Sequence, residues 1–516
     1  MKQWRKMLRI IFGRTTFLVV SLIFQIIVLL SCFRLLSEYF TYVYGGFVIL
    51  SAAVVIFIIN RQQAPDYKLA WIVPVLVFPV FGALFYLFME LQPGTKRIAD
   101  RLRDIIKETQ IYLQQDVSVE ERLQKESQRI GSLARYMNCY GGYPVYENTY
   151  AEYFPSGEEL FPVLKEKLRN AKDFIFLEYF IIERGKMWNE ILEILEEKAK
   201  NGVEIRVMYD GMCSLMLLPY HYPRKLEEKG IRCKMFSPVK PALSSYQNNR
   251  DHRKILVIDG HTAFTGGINL ADEYINEKKR FGYWKDVALM LQGDGVKSFT
   301  MMFLQMWEIT ETKKEDYGFY LPPMSRFKNW LPEGSGFVMP YGDSPLDHET
   351  VGEHVYTDIL YQAKRYVHIM TPYLILDNDM VTALTYAAKR GVETVIIMPH
   401  IPDKKYAYIL ARSYYKELLE AGVKIYEFTP GFVHAKIYVS DDEKAVVGTI
   451  NMDYRSFYLH FECAAYLYKN HAVADVEKDF QNTLNQCEEI TLEVWRKYPL
   501  LSRITGSVLR LFAPLM

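Results

Sequence analysis

Residues 252–269 read HRKILVIDGHTAFTGGIN, and residues 434–451 read HAKIYVSDDEKAVVGTIN. Both stretches place His and Lys two residues apart, follow them with Asp, and end in Gly, Gly or Thr, Ile and Asn. One His-x-Lys pair is common in unrelated sequences. A second copy in the same frame repeats the spacing as well as the residue types. The chain is therefore predicted to contain a duplicated unit, and the duplication suggests a site that needs two histidines.

The segments that precede the two motifs repeat the same order of elements. The predicted strand, helix and strand lie at 174–182, 188–200 and 203–209 in the first copy and at 366–376, 380–389 and 392–398 in the second. The connectors also agree, with AKNGVE at 199–204 and AKRGVE at 388–393. Strands separated by helices of this length predict an α/β fold with a parallel-rich sheet in each half. We expect two pseudo-symmetric α/β/α halves at 136–330 and 331–516, packed together.

A segment of about ten extra residues precedes the first motif, around 241–250, and has no counterpart in the second half. It is rich in Ser, Asn and Tyr. Loops near a site often control access to it, and we expect this loop to shape substrate entry.

The first ninety residues differ from the rest of the chain. Three apolar runs without a charged residue occupy 16–33, 40–59 and 69–89, and each approaches the roughly 20 residues that a helix needs to cross a bilayer. We predict an N-terminal transmembrane region at 1–92 and a multi-pass protein of the cell membrane. Residues 93–135 are charged and helix-forming, and they are expected to be an amphipathic linker, either on the bilayer surface or as an ordinary connecting helix.

Two alternatives remain open for this region. The first run follows several basic residues and could be a signal peptide, or a lipoprotein signal ending near Cys32. Its length favours a retained span. Basic residues flank both ends of a three-span region, so the positive-inside tendency does not set its orientation.

Composition narrows the functional classes. The 516 residues include 62 basic and 61 acidic side chains, a net charge of +1, which argues against a nucleic-acid partner. The six cysteines are scattered without a Cys-x-x-Cys pair, so buried free thiols are expected rather than a disulfide framework or a zinc site. The sequence leaves the oligomeric state open.

The motif residues alternate in the manner of a strand. His252 and Lys254 then project from one face of a sheet, as do His434 and Lys436, and the following Asp makes a turn. We expect the four side chains to converge between the halves, where one imidazole attacks a phosphodiester and the other protonates the leaving oxygen.

Further residues of the two frames are assigned supporting roles. Asn269 and Asn451 are expected to join the lysines in donating to the phosphate oxygens. Asp259 and Asp441 are read as catalytic residues that orient the Lys of their own copy or a histidine. No metal or cofactor is expected, because protein cations already neutralise the phosphate and no carboxylate cluster suits magnesium. The other eight histidines lack a repeated frame and are read as structural.

The doubled pattern resembles the phospholipase D superfamily and, within it, the bacterial cardiolipin synthases. The resemblance extends over nearly the whole chain. Its further matching segments are AW at 70–71, PVFGALFY at 79–86, LEYF at 177–180, NLADEY at 269–274, WKD at 284–286, NMDYRS at 451–456, FE at 461–462 and APL at 513–515.

The resemblance implies transfer of a phosphatidyl group from one phosphatidylglycerol to another, through a phosphohistidine, with release of glycerol. It also implies His252 as nucleophile, His434 as acid and then base, and substrate contacts for Glu178, Asp286 and Glu462. The order of the two histidines is nearly interchangeable on sequence. Members usually have two N-terminal spans, and the third run here leaves the side of the membrane open.

Other acceptors would use the same residues. A phospholipase D uses water and a phosphatidylserine synthase uses serine, and only the acceptor pocket separates them. A membrane-bound nuclease fits less well, because two motifs in one chain and a balanced charge argue against it. A non-catalytic scaffold would have lost part of a motif, and both copies are intact.

Overall fold

The computed structural model describes residues 40–61, 64–90, 93–213, 217–238, 248–311, 314–327, 332–347 and 349–515, with the single positions 23, 27, 30 and 31. Most of the predicted span at 16–33 and most of the predicted access loop lie outside these residues.

The N-terminal part of the described chain is helical. Its helices are Phe40–Ile59, Pro65–Val77, Pro79–Glu90, Pro93–Thr109, Val117–Glu126 and Gln128–Cys139, with a 3-10 turn at Gln110–Tyr112. The run predicted at 69–89 is divided at Phe78, because Pro79 has no N–H to continue the helix. Within the described residues, no helix has both the length and the hydropathy that a bilayer crossing requires.

The helices that follow dock onto the two halves. Leu102 and Ile105 are buried, and Thr109 Oγ1 accepts a hydrogen bond of 2.9 Å from Gln305 in the first half. Tyr136, on the helix Gln128–Cys139, donates to Glu349 in the second half at 2.6 Å. The stretch predicted as a linker is therefore packed against both halves.

Nine strands lie in the described residues of the first half. They are β1 (Thr149–Phe154), β2 (Phe174–Tyr179), β3 (Glu204–Asp210), β4 (Arg232–Phe236), β5 (Arg250–Asp251), β6 (Lys254–Ile258), β7 (Thr262–Gly266), β8 (Tyr283–Lys285) and β9 (Ala288–Gly293). Its α-helices are Gly157–Asn170, Lys186–Lys200, Tyr222–Glu227 and Val296–Glu308, and its 3-10 turns are Asp272–Ile275, Tyr317–Tyr320 and Met324–Phe327.

The second half repeats this plan. Its strands are β10 (Phe337–Asp343), β11 (Tyr366–Met370), β12 (Leu374–Ile375), β13 (Glu393–Pro399), β14 (Lys424–Phe428), β15 (Gly431–Val433), β16 (Ile437–Ser440), β17 (Lys444–Gly448), β18 (Met452–Asp453), β19 (His460–Tyr468) and β20 (Cys487–Ile490). Its helices are Val351–Gln362, Asn378–Lys389, Lys405–Glu420, Tyr454–Tyr458, Ala472–Leu484, Leu492–Arg496 and Leu500–Phe512, with a 3-10 turn at Ala513–Leu515.

The strand order confirms the duplication. The first sheet runs β1-β9-β7-β6-β2-β3-β4, and the second runs β10-β19-β17-β16-β11-β13-β14 before adding β20. The expected parallel-rich sheets are instead mixed: β2-β3-β4 and β11-β13-β14 pair in parallel, β5 adds a parallel pairing to β19, and the other pairs of the two sheets are antiparallel. The rest is antiparallel because each motif strand turns back through a tight hairpin, as in β6-β7 and β16-β17.

Left-handed backbone makes these hairpins possible. Asp259 and Gly260 have φ values of 51° and 68°, and Asp441 and Asp442 have φ values of 58° and 59°. Three residues connect the paired strands in each hairpin, and the turn is closed by the N–H of His261 to Ile258 O and by that of Glu443 to Ser440 O. Asp tolerates left-handed backbone better than most side chains. The predicted turn after each motif strand is confirmed.

The two sheets face each other across a shared core. Ile255 and Val257 of β6 lie in one apolar cluster with Ile437 and Val439 of β16, and residues of the helix Val296–Glu308 belong to the same cluster. The outer faces of the sheets are covered by helices of their own halves. The motif strands therefore run through the centre of the molecule.

Candidate active site

Each motif histidine is held by the backbone of the other half. Strand β5, just before His252, pairs with β19, and the N–H of His252 donates to Phe461 O at 2.9 Å. Strand β15, just before His434, pairs with β8, and the N–H of His434 donates to Lys285 O at 2.7 Å. These crossed pairings place both histidines at the boundary between the halves.

The same pairings bring a carboxylate to each imidazole. Glu462 follows Phe461 in the chain, and its Oε1 and Oε2 lie 2.9 and 3.0 Å from His252 Nδ1. Asp286 follows Lys285, and its Oδ2 lies 2.7 Å from His434 Nδ1. While these carboxylates are ionised they can only accept, so each Nδ1 is then the donor and each Nε2 is left for chemistry.

Both motif lysines are buried beside the histidines. Lys254 Nζ donates to His252 O at 2.6 Å. Lys436 Nζ donates to His434 O and lies 2.9 Å from His434 Nδ1. Burial is the largest cause that lowers the pKa of Lys254 to about 8 and that of Lys436 to about 7. These ammonium groups lose protons far more readily than an exposed lysine.

The electrostatics connect the two copies. Burial comes first among the causes that lower the pKa of His252 well below its usual range, followed by the charges of Lys254, Lys436 and His434. The pKa of His434 is likewise lowered by burial and by both lysines. Both imidazoles therefore favour the neutral form, and each is close enough to both lysines for their charges to lower its pKa.

The two carboxylates have different surroundings. Glu462 accepts hydrogen bonds from the hydroxyls of Thr449 and Ser456. Asp286 lies against Gly267, which occupies the position of Thr449 in the repeated frame. Burial raises the pKa of Asp286 to about 7, against the opposing charges of the lysines. The repeated site is therefore not symmetric in its chemistry.

The predicted asparagines line the same region. Asn269 accepts from the N–H of Ile181 at 2.9 Å and donates to the Tyr274 hydroxyl at 2.7 Å, and the Tyr274 ring lies 5.5 Å from the His434 ring. Asn451 Oδ1 is buried and has no hydrogen-bond partner among the described residues.

The motif aspartates are not brought to the imidazoles, which corrects the orienting role expected for them. Asp259 accepts from the backbone N–H groups of residues 172, 173 and 174 at 2.8 Å each. Asp441 accepts from those of 364, 365 and 366 at 2.9, 2.8 and 3.2 Å. Seven residues along a strand place each Asp roughly 20 Å from its own histidine.

Glu178 also faces away from the histidines. Glu178 lies opposite Ile255 in the sheet, so its side chain is on the face away from Lys254. Its fully buried carboxylate pairs with Arg253. The structure does not bring this predicted substrate contact to the site.

His460 belongs to the site although the sequence offered no repeated frame for it. Its ring lies 5.6 Å from that of His252, and its Nε2 accepts from Arg455 Nε at 3.1 Å. An arginine only donates, so the proton of His460 sits on Nδ1, which lies 3.8 Å from Glu462 Oε1. Burial lowers the pKa of His460 to about 3, so this imidazole stays neutral.

The only signal for His460 in the sequence was its place two residues before Glu462. Among the described residues, the ligand atoms of His252, His460 and Glu462 lie within 4.8 Å of one another, a spacing that could hold a metal ion. Glu462 already accepts hydrogen bonds from His252 and from two hydroxyls. We therefore assign Glu462 and His460 to orienting the His252 ring.

Comparison with known proteins bears on this arrangement. The family described as "Cardiolipin synthase, PLD-like domain" matches residues 164–307 and 356–484, and "Phospholipase_D-nuclease N-terminal" matches 49–89. The chain also resembles the solved structure of a phosphatidylserine synthase from Haemophilus influenzae, with a TM-score of 0.54 and 15% identity over 74% of this chain and 98% of that one. That likeness concerns the fold.

Curated relatives cover nearly the full length. A cardiolipin synthase of Geobacillus sp. (strain WCH70) is 36% identical over 92% of this chain and 94% of the relative. A cardiolipin synthase 2 of Bacillus anthracis is 34% identical over 90% of this chain and 89% of the relative. With both repeats matched and the crossed histidines in place, the chain belongs to the cardiolipin synthase family of the phospholipase D superfamily.

Proposed function

We propose that this phosphatidyltransferase joins two phosphatidylglycerol molecules into cardiolipin and glycerol, with His252 and His434 as its reacting groups. One observation carries the proposal: each imidazole has its Nδ1 bound to a carboxylate of the opposite half, which leaves Nε2 for chemistry, and the buried lysine of each motif donates to the carbonyl oxygen of its own histidine. A phosphodiester meets the needs of such a cluster, since it offers an electrophilic phosphorus and anionic oxygens.

In the first step the Nε2 lone pair of His252 attacks the phosphorus of one phosphatidylglycerol. The bond from phosphorus to the head-group glycerol oxygen breaks, and His434 gives that oxygen a proton, so glycerol leaves. Lys254 and Lys436 stabilise the charge that accumulates on the non-bridging oxygens.

In the second step the free hydroxyl of another phosphatidylglycerol loses its proton to His434 and attacks the phosphohistidine. The phosphorus–nitrogen bond breaks, which releases cardiolipin and restores neutral His252. The pKa of about 7 for Asp286 supports this assignment. When the Asp286 carboxyl holds a proton and donates it to His434 Nδ1, the neutral imidazole carries its own proton on Nε2 and can give it to the leaving oxygen.

We further propose that residues 1–92 anchor the enzyme in the cell membrane as a multi-pass region, that 93–135 connect it, and that 136–330 and 331–516 are the two halves. The helices at 40–90 support the anchor, since they expose large apolar side chains such as Ile49, Ile56 and Val77 at 73%, 63% and 60%. Exposed apolar surface on this scale is typical of a segment that meets lipid.

The test uses the purified full chain with phosphatidylglycerol labelled in its head group and in its acyl chains. Cardiolipin with an equal amount of glycerol is the expected product. Phosphatidic acid with glycerol would instead identify a hydrolase and contradict the proposal.

His252→Ala and His434→Ala should each remove nearly all turnover, and His221→Ala, at an exposed histidine outside the site, is the matched control. Quenching of the His434→Ala enzyme in denaturant at mildly alkaline pH, where a phosphohistidine survives, should trap acyl-chain label on His252 after brief exposure to substrate. Label on another residue would overturn the assignment of the nucleophile.

A further inference from the structure

The helix Leu500–Phe512 carries most of its large apolar residues on the side that faces away from the protein. Six large apolar side chains are exposed, at fractions of 40–76%. They are Leu500, Leu501, Ile504, Val508, Leu511 and Phe512. Their spacing forms one continuous stripe along the helix, which we call the outer stripe. In a soluble protein such a stripe normally faces the core.

The opposite face of this helix is fixed against the second half, so the outer stripe cannot roll inward. Gly506 is buried, and a Cβ there would lie 2.9 Å from Ile409 O on the helix Lys405–Glu420. Arg510 pairs with Glu417 at 3.0 Å, and the Arg503 guanidinium lies 5.0 Å from the centre of the Trp495 ring. On this face Leu509 also packs against the core of the second half, whereas the six residues of the outer stripe are left exposed.

The outer stripe is continuous with the apolar N-terminal helices. Leu515, just beyond the helix, packs against the core formed by Val54, Ile58, Trp71 and their neighbours. Leu511 also lines one cavity with Leu69, which is 52% exposed. The helix Leu500–Phe512 and the N-terminal helices at 40–90 therefore form one continuous apolar surface.

The charged residues of the helix itself are all basic. The helix contains Arg503 and Arg510 and no acidic residue, and Arg496 and Lys497 precede it. Amphipathic helices that combine an apolar face with cations lie in the interface of anionic bilayers. We propose that the outer stripe is a membrane-docking surface that inserts into an anionic phospholipid bilayer. This inference rests on the membrane location proposed above.

Docking at this surface would set the catalytic site against the lipid. The short helix Tyr454–Tyr458 follows the frame that ends in Asn451, and the Tyr454 hydroxyl donates to Asp66 Oδ2, at the start of an N-terminal helix, at 2.7 Å. The same tyrosine lines a cavity with Leu511. The outer stripe and the active-site loop are thus tied to the same apolar module.

The test measures where spin labels on the outer stripe lie when the full chain is reconstituted in vesicles of phosphatidylglycerol and phosphatidylethanolamine. Each variant carries one label, placed by Leu501→Cys, Ile504→Cys or Val508→Cys, in a background with Cys32, Cys139 and Cys487 changed to Ser. Tyr140→Cys and Phe319→Cys are the matched controls, at apolar positions that are 70% and 66% exposed elsewhere.

Collision with oxygen, which concentrates in lipid, is expected to exceed collision with a water-soluble nickel chelate severalfold at the three stripe positions, and the reverse is expected at both controls. Nickel collision equal to that of the controls would overturn the proposal. So would dipolar broadening between labels, which would mean that a second copy covers the stripe. The readout does not depend on turnover, so a failure to form cardiolipin leaves this test intact.

A second measurement links docking to catalysis. Ile504→Asp with Val508→Asp is expected to raise KM for phosphatidylglycerol in vesicles about tenfold, with little change in detergent micelles, and Phe319→Asp should change neither. An unaltered KM in vesicles would overturn the functional part of the inference.

Discussion

At the scale of single residues, protonation controls the proposed chemistry. His252 must be neutral to attack, and its depressed pKa keeps it neutral well below pH 6.5. The lysines must be charged to hold the phosphate, and their depressed pKa values mean that charge is lost as pH rises through about 7 for Lys436 and about 8 for Lys254.

We therefore expect kcat/KM to be nearly flat on the acid side of neutrality and to fall above pH 7–8. Lys436→Arg should lower the overall rate but move part of the alkaline fall to higher pH, because a guanidinium stays protonated there. A pH series of kcat/KM for both enzymes checks this. If kcat/KM of the two enzymes falls over the same alkaline pH range, a group other than Lys436 causes the loss.

The two kinds of carboxylate near the motifs should respond differently to the same substitution. Asp259→Asn should cost roughly 2–4 kcal/mol of unfolding free energy, since an amide cannot accept from all three backbone N–H groups. Asp286→Asn should leave stability nearly unchanged and lower kcat about 10²- to 10⁴-fold, because His434 loses its anionic partner. Denaturant unfolding and turnover are measured on both variants. A large loss of kcat in Asp259→Asn with little loss of stability would instead indicate that the motif aspartate acts in catalysis.

Much of the site was predictable at this scale. The two histidines and two lysines follow from strand periodicity and repetition alone. The role of Asp259 could have been foreseen from its distance along the strand. The pairing of His252 with Glu462 could not, because those residues meet through β5 and β19, two strands that share no local pattern.

At the scale of elements, glycines decide how closely the strands approach the site. A Cβ on Gly267 would lie 2.0 Å from Asp286 Oδ1. Thr449, at the equivalent position, instead donates its hydroxyl to Glu462.

Gly267→Ala is expected to push Asp286 away from His434 and lower kcat at least tenfold. Thr449→Ala removes one donor and opens no clash, so it should cost only about fivefold, in line with roughly 1 kcal/mol for one hydrogen bond. Turnover of both variants at saturating substrate checks the ranking. A larger loss in Thr449→Ala would contradict it.

The strands and helices themselves were mostly predictable. The predicted helices at 188–200 and 380–389 are confirmed within two residues as Lys186–Lys200 and Asn378–Lys389. The sheets are mixed because strand–helix–strand alternation describes only β2-β3-β4 and its repeat. The hairpin and β9 add antiparallel pairs that alternation does not reveal.

At the scale of the whole molecule, a buried ion pair joins the halves. Lys285, beside the His434 anchor, lies 2.7 and 2.8 Å from the two carboxylate oxygens of Asp479. Tyr153 donates to the same carboxylate at 2.7 Å. Both charges are more than nine-tenths buried.

Asp479→Asn should destabilise the protein by about 3–5 kcal/mol, because it leaves the Lys285 ammonium buried without its counter-ion. Tyr153→Phe removes only a neutral donor to that carboxylate and should cost about 1 kcal/mol. Denaturant unfolding of both variants, compared with the parent, checks the difference. Equal costs would show that the ion pair contributes little to the contact between halves.

The unequal carboxylates have a consequence for a duplicated chain. An assembly of two identical single-motif subunits must place the same acid behind both rings, because every substitution occurs twice. When the two copies are fused in one chain, each copy can change separately. Here Glu462, which accepts from two hydroxyls, binds the His252 ring, and Asp286, which lies beside Gly267, binds the His434 ring. Separate substitutions can therefore give the two rings different proton affinities.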